Sequence, residues 1–228
     1  MNRLDSNQRS PLYWALEKNY LELFKVLLEN QADVNFVGIA NNSLLHKAVC
    51  KGKYEYVELL INMGANVNCL NESNQTPLHA AAHFGETDIA KLLIKKGAEI
   101  DAKSIFEQSP LQLASVQGHQ EIVKLLLENE ANHAIKDVDD NMPIHHASQG
   151  GHIQCVEILL QHGASLNTRG VFSLTPLQMT LYGNYTVTAQ ILLNYGASFN
   201  SKDWHHFYPV ERAMENVNLD IFKPFLVF

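Results

Sequence analysis

Thr76-Pro77-Leu78-His79-Ala80-Ala81 decides the fold, because close variants of it return along the chain at a fixed interval. Ser10-Pro11-Leu12-Tyr13-Trp14-Ala15 and Ser43-Leu44-Leu45-His46-Lys47-Ala48 precede it, and Ser109-Pro110-Leu111-Gln112-Leu113-Ala114 follows. Met142-Pro143-Ile144-His145-His146-Ala147, Thr175-Pro176-Leu177-Gln178-Met179-Thr180 and Tyr208-Pro209-Val210-Glu211-Arg212-Ala213 continue the series. Six of the seven prolines stand at 11, 77, 110, 143, 176 and 209; every gap is 33 or 66 residues, and Leu44 fills the vacant place. A hydroxyl residue followed by proline opens a helix well: the hydroxyl accepts from an orphan backbone N–H, and proline has no N–H to leave unsatisfied. Each period therefore opens with a helix.

A second marker keeps the same period. Gly64-Ala65, Gly97-Ala98, Gly163-Ala164 and Gly196-Ala197 share it, with Gln31-Ala32 and Glu130-Ala131 in register but lacking the glycine. Glycine suits the left-handed residue just past a helix end. Between the markers lie apolar runs such as Ile89, Leu92, Leu93 and Ile94, or Ile122, Val123, Leu125, Leu126 and Leu127, the pattern of a longer and more deeply buried second helix. The loops that follow, such as Asn66 to Gln75, are rich in residues tolerant of positive φ and read as hairpin fingers.

A 33-residue period with a TPLHxA-type start and a GA(D/N)VN-type end resembles the ankyrin repeat, and the resemblance runs along essentially the whole chain. It implies an all-α solenoid of about seven helix-turn-helix units joined by β-hairpin-like fingers. The units fall at about 5–37, 38–70, 71–103, 104–136, 137–169, 170–202 and 203–228, expected to form one domain over 1–228 whose units touch only their neighbours. Unit three lies closest to the family pattern. Units four and six carry Gln112 and Gln178 where the family has His, and local weakening is expected there. The last unit is short and holds Pro224, which is expected to break its second helix, and ends in the apolar Phe225-Leu226-Val227-Phe228. That ending reads either as a cap or as the edge of a longer architecture.

Composition narrows the function classes. The 228 residues are 46% hydrophobic and 18% charged, ample for a sizeable core. A net charge of −7, with no basic run beyond Lys95-Lys96, speaks against nucleic acid as a partner. The apolar stretches fall far short of the ~20 residues of a membrane span. Met1 to Asp5 shows no apolar leader, and three cysteines without CxxC spacing, Cys50, Cys69 and Cys155, suit reduced thiols in the cytoplasm or nucleus.

Eleven histidines invite a metal or catalytic reading. By the resemblance, His46, His79 and His145 tie helix starts to neighbouring loops, and His119 and His152 belong to the turns between helices. The adjacent pairs His145-His146 and His205-His206 have no convincing set of carboxylates or Cys at a ligand spacing of three or four residues. Phosphate-loop, dinucleotide, nucleophile-elbow and zinc-protease motifs are all absent, so neither cofactor, metal nor catalysis is expected.

The resemblance places function on the concave face, at finger tips and the exposed side of first helices. Ile105, Phe106, Val171, Phe172, Trp204, His205 and Phe207 on fingers, with Phe84 and Tyr182 on first helices, are the expected partner-binding residues. Further finger positions are Val37, Ile39, Leu70 and Val138. Asparagines at one finger register can be hydroxylated in ankyrin proteins, which makes Asn35 and Asn68 candidates; the alternative is a turn-stabilising role. The expectation is a monomeric, noncatalytic interaction module or scaffold that holds an apolar or basic-apolar segment of another protein. Two alternatives stay open: the substrate-recognition subunit of a ubiquitin ligase, similar to ankyrin proteins carrying a SOCS box but lacking that box here, and the ankyrin head of a larger protein.

Overall fold

Each hexad begins a helix, as its residues suggest. The computed structural model describes residues 4–5, 9–36, 38 and 41–215. Val37, Ile39, Pro224 and Phe225 to Phe228 lie outside the described residues. In chain order the helices are α1 (Pro11–Glu17), α2 (Leu21–Glu29), α3 (Leu44–Cys50), α4 (Tyr54–Asn62), α5 (Pro77–Phe84), α6 (Thr87–Lys95) and α7 (Pro110–Gln117). They continue as α8 (Gln120–Glu128), α9 (Pro143–Gln149), α10 (Ile153–Gln161), α11 (Pro176–Tyr182), α12 (Thr186–Asn194) and α13 (Pro209–Glu215). No strand occurs among the described residues, and the fold is all-α.

The N-caps work as the hydroxyl positions predict. Ser10 Oγ accepts from Tyr13 N at 3.1 Å and Ser43 Oγ from His46 N at 3.2 Å. Thr76, Ser109 and Thr175 accept from His79, Gln112 and Gln178 in the same way. Met142 has no capping oxygen, and α9 relies on His145 Nδ1, which accepts from Met142 N at 3.0 Å.

The histidine of the hexad does two jobs, and glutamine does both equally well. His145 Nδ1 serves the cap while Nε2 meets Thr168 O at 3.1 Å in the following finger. Gln112 Oε1 accepts from Ser109 N at 2.8 Å and its Nε2 donates to Asn141 O at 2.8 Å. Gln178 repeats this with Thr175 N at 2.9 Å and Ser201 O at 3.0 Å. The expected weakening of units four and six is therefore not found at these positions, because an amide presents the same acceptor and donor as a neutral imidazole.

Second helices run nine residues against seven or eight for first helices, and bury one face each, as with Ile89, Ala90, Leu92 and Leu93 of α6. They stop where the Gly-Ala marker predicts: Gly64, Gly97, Gly163 and Gly196 have φ between 85° and 91°. Gln31 and Glu130 adopt the same region at 60° and 65° without being glycine. Finger tips recur at positive φ too, at Asn41, Asn74, Glu107, Asp140, Ser173 and His206.

The chain divides into two compact units, Met1–Ile105 and Phe106–Phe228. In the first, α3 packs on α5 and α4 on α6, each helix also packing on its hairpin partner. In the second, α7, α9, α11 and α13 form one row and α8, α10 and α12 the other. His152 and Tyr185, each at the start of a second helix, lie over glycines of the preceding turn; a Cβ on Gly151 would come within 2.4 Å of the Tyr185 ring. No described helix is long and apolar enough to cross a membrane.

Candidate functional site

Backbone strain marks one finger apart from the rest. Where the other tips carry one left-handed residue, the turn Val171–Ser173 carries two in succession, Phe172 at φ 54° and Ser173 at φ 57°. A bulky residue there is uncommon and costs ~1–2 kcal/mol. It turns the ring outward: Phe172 is 61% exposed and stacks on Trp204 of the next finger, centroids 5.4 Å apart at 30°. Trp204 in turn lies against His205, centroids 3.6 Å apart.

Beneath the stack is a concavity of about 520 Å³. Val171, Phe172, Tyr182, Trp204 and His205, all expected partner-binding residues, line it together with Gln149, Leu174, Met179 and Gly183. Asp203, outside the lining, braces residues that form it. Its Oδ1 accepts from His205 N at 2.9 Å and Phe207 N at 3.0 Å, which fixes the finger, and Oδ2 accepts from Tyr182 OH at 3.1 Å, which fixes the tyrosine. Rings are thus held in place before any ligand arrives, which lowers the ordering cost of binding.

The other expected residues are not brought into this concavity. Phe84 lies on α5 of the first unit, edge-on to His83 at 4.8 Å. Ile105 N donates to Ser73 O at 2.9 Å, and Phe106 O accepts from Val138 N at 3.2 Å, so each of these adjacent residues bonds a neighbouring finger through backbone while its side chain stays half exposed. Phe207 is 38% exposed and outside the lining. Met179 and Asp203 are the residues that sequence reasoning missed. Met179 shares its register with Lys47, Ala80, Leu113 and His146, a place of changing chemistry, and Asp203 shares its own with Asn71 and Asp137.

Asn35 and Asn68 are engaged at both ends of the amide. Asn35 Oδ1 accepts from Asn66 N at 3.0 Å and its Nδ2 donates to Gly64 O at 3.4 Å. Asn68 repeats the arrangement with Glu99 N at 2.8 Å and Gly97 O at 3.0 Å.

Several titratable groups elsewhere serve structural contacts. His146 Nε2 pairs with Asp137 Oδ2 at 2.7 Å; burial pushes the Asp137 carboxyl up, but the His146 bond and the backbone N–H of Asn141 outweigh it and hold it below its usual value. Burial pushes the Cys155 thiol up to about 12. Cys69 Sγ lies 3.1 Å from Ser43 Oγ and 3.6 Å from His46 Nδ1, yet burial raises its pKa, so at neutral pH this is a thiol and not a thiolate nucleophile. No group of three or more potential metal ligands occurs among the described residues.

Comparison with known proteins agrees with this architecture. A family model described as ankyrin repeats (3 copies) matches residues 37–104 and 101–170, and another, ankyrin repeats (many copies), matches residues 12–61. No curated protein matches. Among solved structures, the crystal structure of the human ASB11 ankyrin repeat domain is similar at 27% identity and a TM-score of 0.87, with 96% of this chain and 97% of that chain covered. With more than half of its length matched and the helix register continuous through the match, the chain belongs to the ankyrin-repeat family, a protein–protein interaction module.

Proposed function

We propose that the protein is a noncatalytic binding module that grips a segment of another protein in the aromatic concavity of Val171, Phe172, Tyr182, Trp204 and His205. The observation that carries this reading is convergence: five of the expected partner-binding residues, from two fingers and one first helix, line one concavity around a strained Phe172. Strain of this kind persists where the surroundings enforce it and clusters at ligand clamps. An aromatic ring that loses ~150 Å² to a partner gains roughly 4 kcal/mol at ~25 cal/mol per Å² before ordering costs, so two such rings can dominate an interface.

Proximity labelling in the native cell, with wild type set against Phe172→Ala/Trp204→Ala and against Phe106→Ala, tests it. The double variant is expected to lose the wild-type partner set while Phe106→Ala retains it, both at unchanged thermal midpoint. Retention by the double variant removes the site.

A further inference from the structure

A second cavity lies wholly within Met1–Ile105 and presents different chemistry. It measures about 290 Å³ and is walled by Arg9, Tyr13, Phe36, Leu44, Lys47 and Cys50, among others. Arg9 is the unusual member. Its guanidinium lies 5.0 Å from the Trp14 ring and 5.7 Å from the Tyr13 ring, and Nε is buried without a hydrogen-bond partner. A buried donor left unmade costs ~1–3 kcal/mol, more when charged.

Lys47 also lines the cavity. Its ammonium sits 2.6 Å from Glu17 and 3.0 Å from Tyr13 OH, and Lys51 reaches the same Glu17 at 3.3 Å. One carboxylate thus serves two lysines. Around Tyr13 and Trp14 the cations are Arg9, Lys18, Lys47 and Lys51, while the acids are Asp5, which accepts from Arg9 N and Trp14 Nε1, and Glu17. This is a local excess of positive charge on a chain whose net charge is −7.

We propose that this cavity takes an acidic side chain from a partner peptide, its carboxylate paired with Arg9 and Lys47 and a neighbouring apolar side chain set against Tyr13, Phe36 and Leu44. Guanidinium and carboxylate match in planar, bidentate geometry, and charge-assisted bonds of this kind are about twice as strong as neutral ones. The volume stands at the lower end for ligand pockets, ~300 Å³, which suits one or two side chains of a peptide. The site is independent of the aromatic concavity and does not rest on its reading.

The test is selection of random displayed peptides on the full chain, followed by titration of synthetic winners using Trp14 emission in a Trp204→Phe background. Winners that change Trp14 emission are expected to carry Asp or Glu beside an apolar residue. Replacing that acid by its amide in the peptide should weaken binding about tenfold or more, as should Arg9→Gln in the protein. Phe172→Ala should leave this binding intact, which separates failure here from failure of the aromatic site. Winners without an acid, equal binding to Arg9→Gln at unchanged thermal midpoint, no winner that moves Trp14, or displacement by inorganic phosphate at the peptide's own concentration would each overturn the proposal.

Discussion

The buried His145 imidazole carries a titration that its glutamine counterparts lack. Burial, together with the neighbouring His146, outweighs the bond to Thr168 O and pushes its pKa from 6.5 down to about 4; burial lowers that of His46 as well. A histidine held neutral in the fold supports folding fully above its unfolded pKa, and that support is lost as pH falls from 6.5 toward 4. The loss for His145 amounts to up to about 3 kcal/mol. His145→Gln keeps both hydrogen bonds in the manner of Gln112 and removes the titration. Urea unfolding of this variant should therefore show a flatter stability profile between pH 6.5 and 4 than wild type. At the helix stops the backbone decides. Glu130 and Gln31 hold left-handed φ without being glycine, so Glu130→Gly should raise stability by about 0.5–1 kcal/mol. Gly97→Ala, whose Cβ would meet nothing within 4 Å, should lower it by about 1 kcal/mol through φ alone. The cap oxygens and left-handed stops were legible in the sequence because their constraint is local; the equivalence of glutamine and imidazole was not, since weakening is what Gln112 and Gln178 suggest until their two bonds are seen. Arg9 was not legible, because its unpaired Nε results from which rings surround it.

Helices and fingers differ in how openly the sequence declares them. The paired helices follow from a hydroxyl, a proline, an apolar stripe and a glycine, each acting within a turn or two. Helix α9 is the one first helix, among α1 to α11, whose cap position holds no hydroxyl, and Met142→Thr should supply it. A gain of about 0.5–1 kcal/mol in urea unfolding is expected, with no change in helical circular dichroism. Fingers are harder to read. The Phe172–Trp204 stack joins residues 32 apart, and the turn that aims Phe172 outward combines two left-handed residues where the other tips use one. Single-sequence patterns carry turn tolerance but not the direction of a ring. Hence the aromatic residues were found as exposed candidates, while Ile105, Phe106, Phe84 and Phe207 were found with equal force and lie outside the concavity.

For the whole molecule, the proline register passes from Pro77 to Pro110 without insertion or deletion, although the described residues group on either side of Ile105 and Phe106. An unbroken repeat register in the sequence predicts one cooperative transition. Trp14 and Trp204, the two tryptophans, report on Met1–Ile105 and Phe106–Phe228 separately. Thermal unfolding followed in Trp14→Phe and Trp204→Phe variants should give coincident midpoints; separated midpoints would mark two folding domains. The asparagine amides extend this regularity into heredity. Asn35 reaches forward 29 residues to a carbonyl and 31 to an N–H, and Asn68 uses the same offsets. Excising residues 38–70 would hand Asn35 the carbonyl of Gly97 and the N–H of Glu99, the two groups that Asn68 holds now. A gene for such a chain can gain or lose one whole period at this joint and still close the asparagine bonds across the scar, while the lysine pairs of Glu17 would be given up to Ala80 and Phe84.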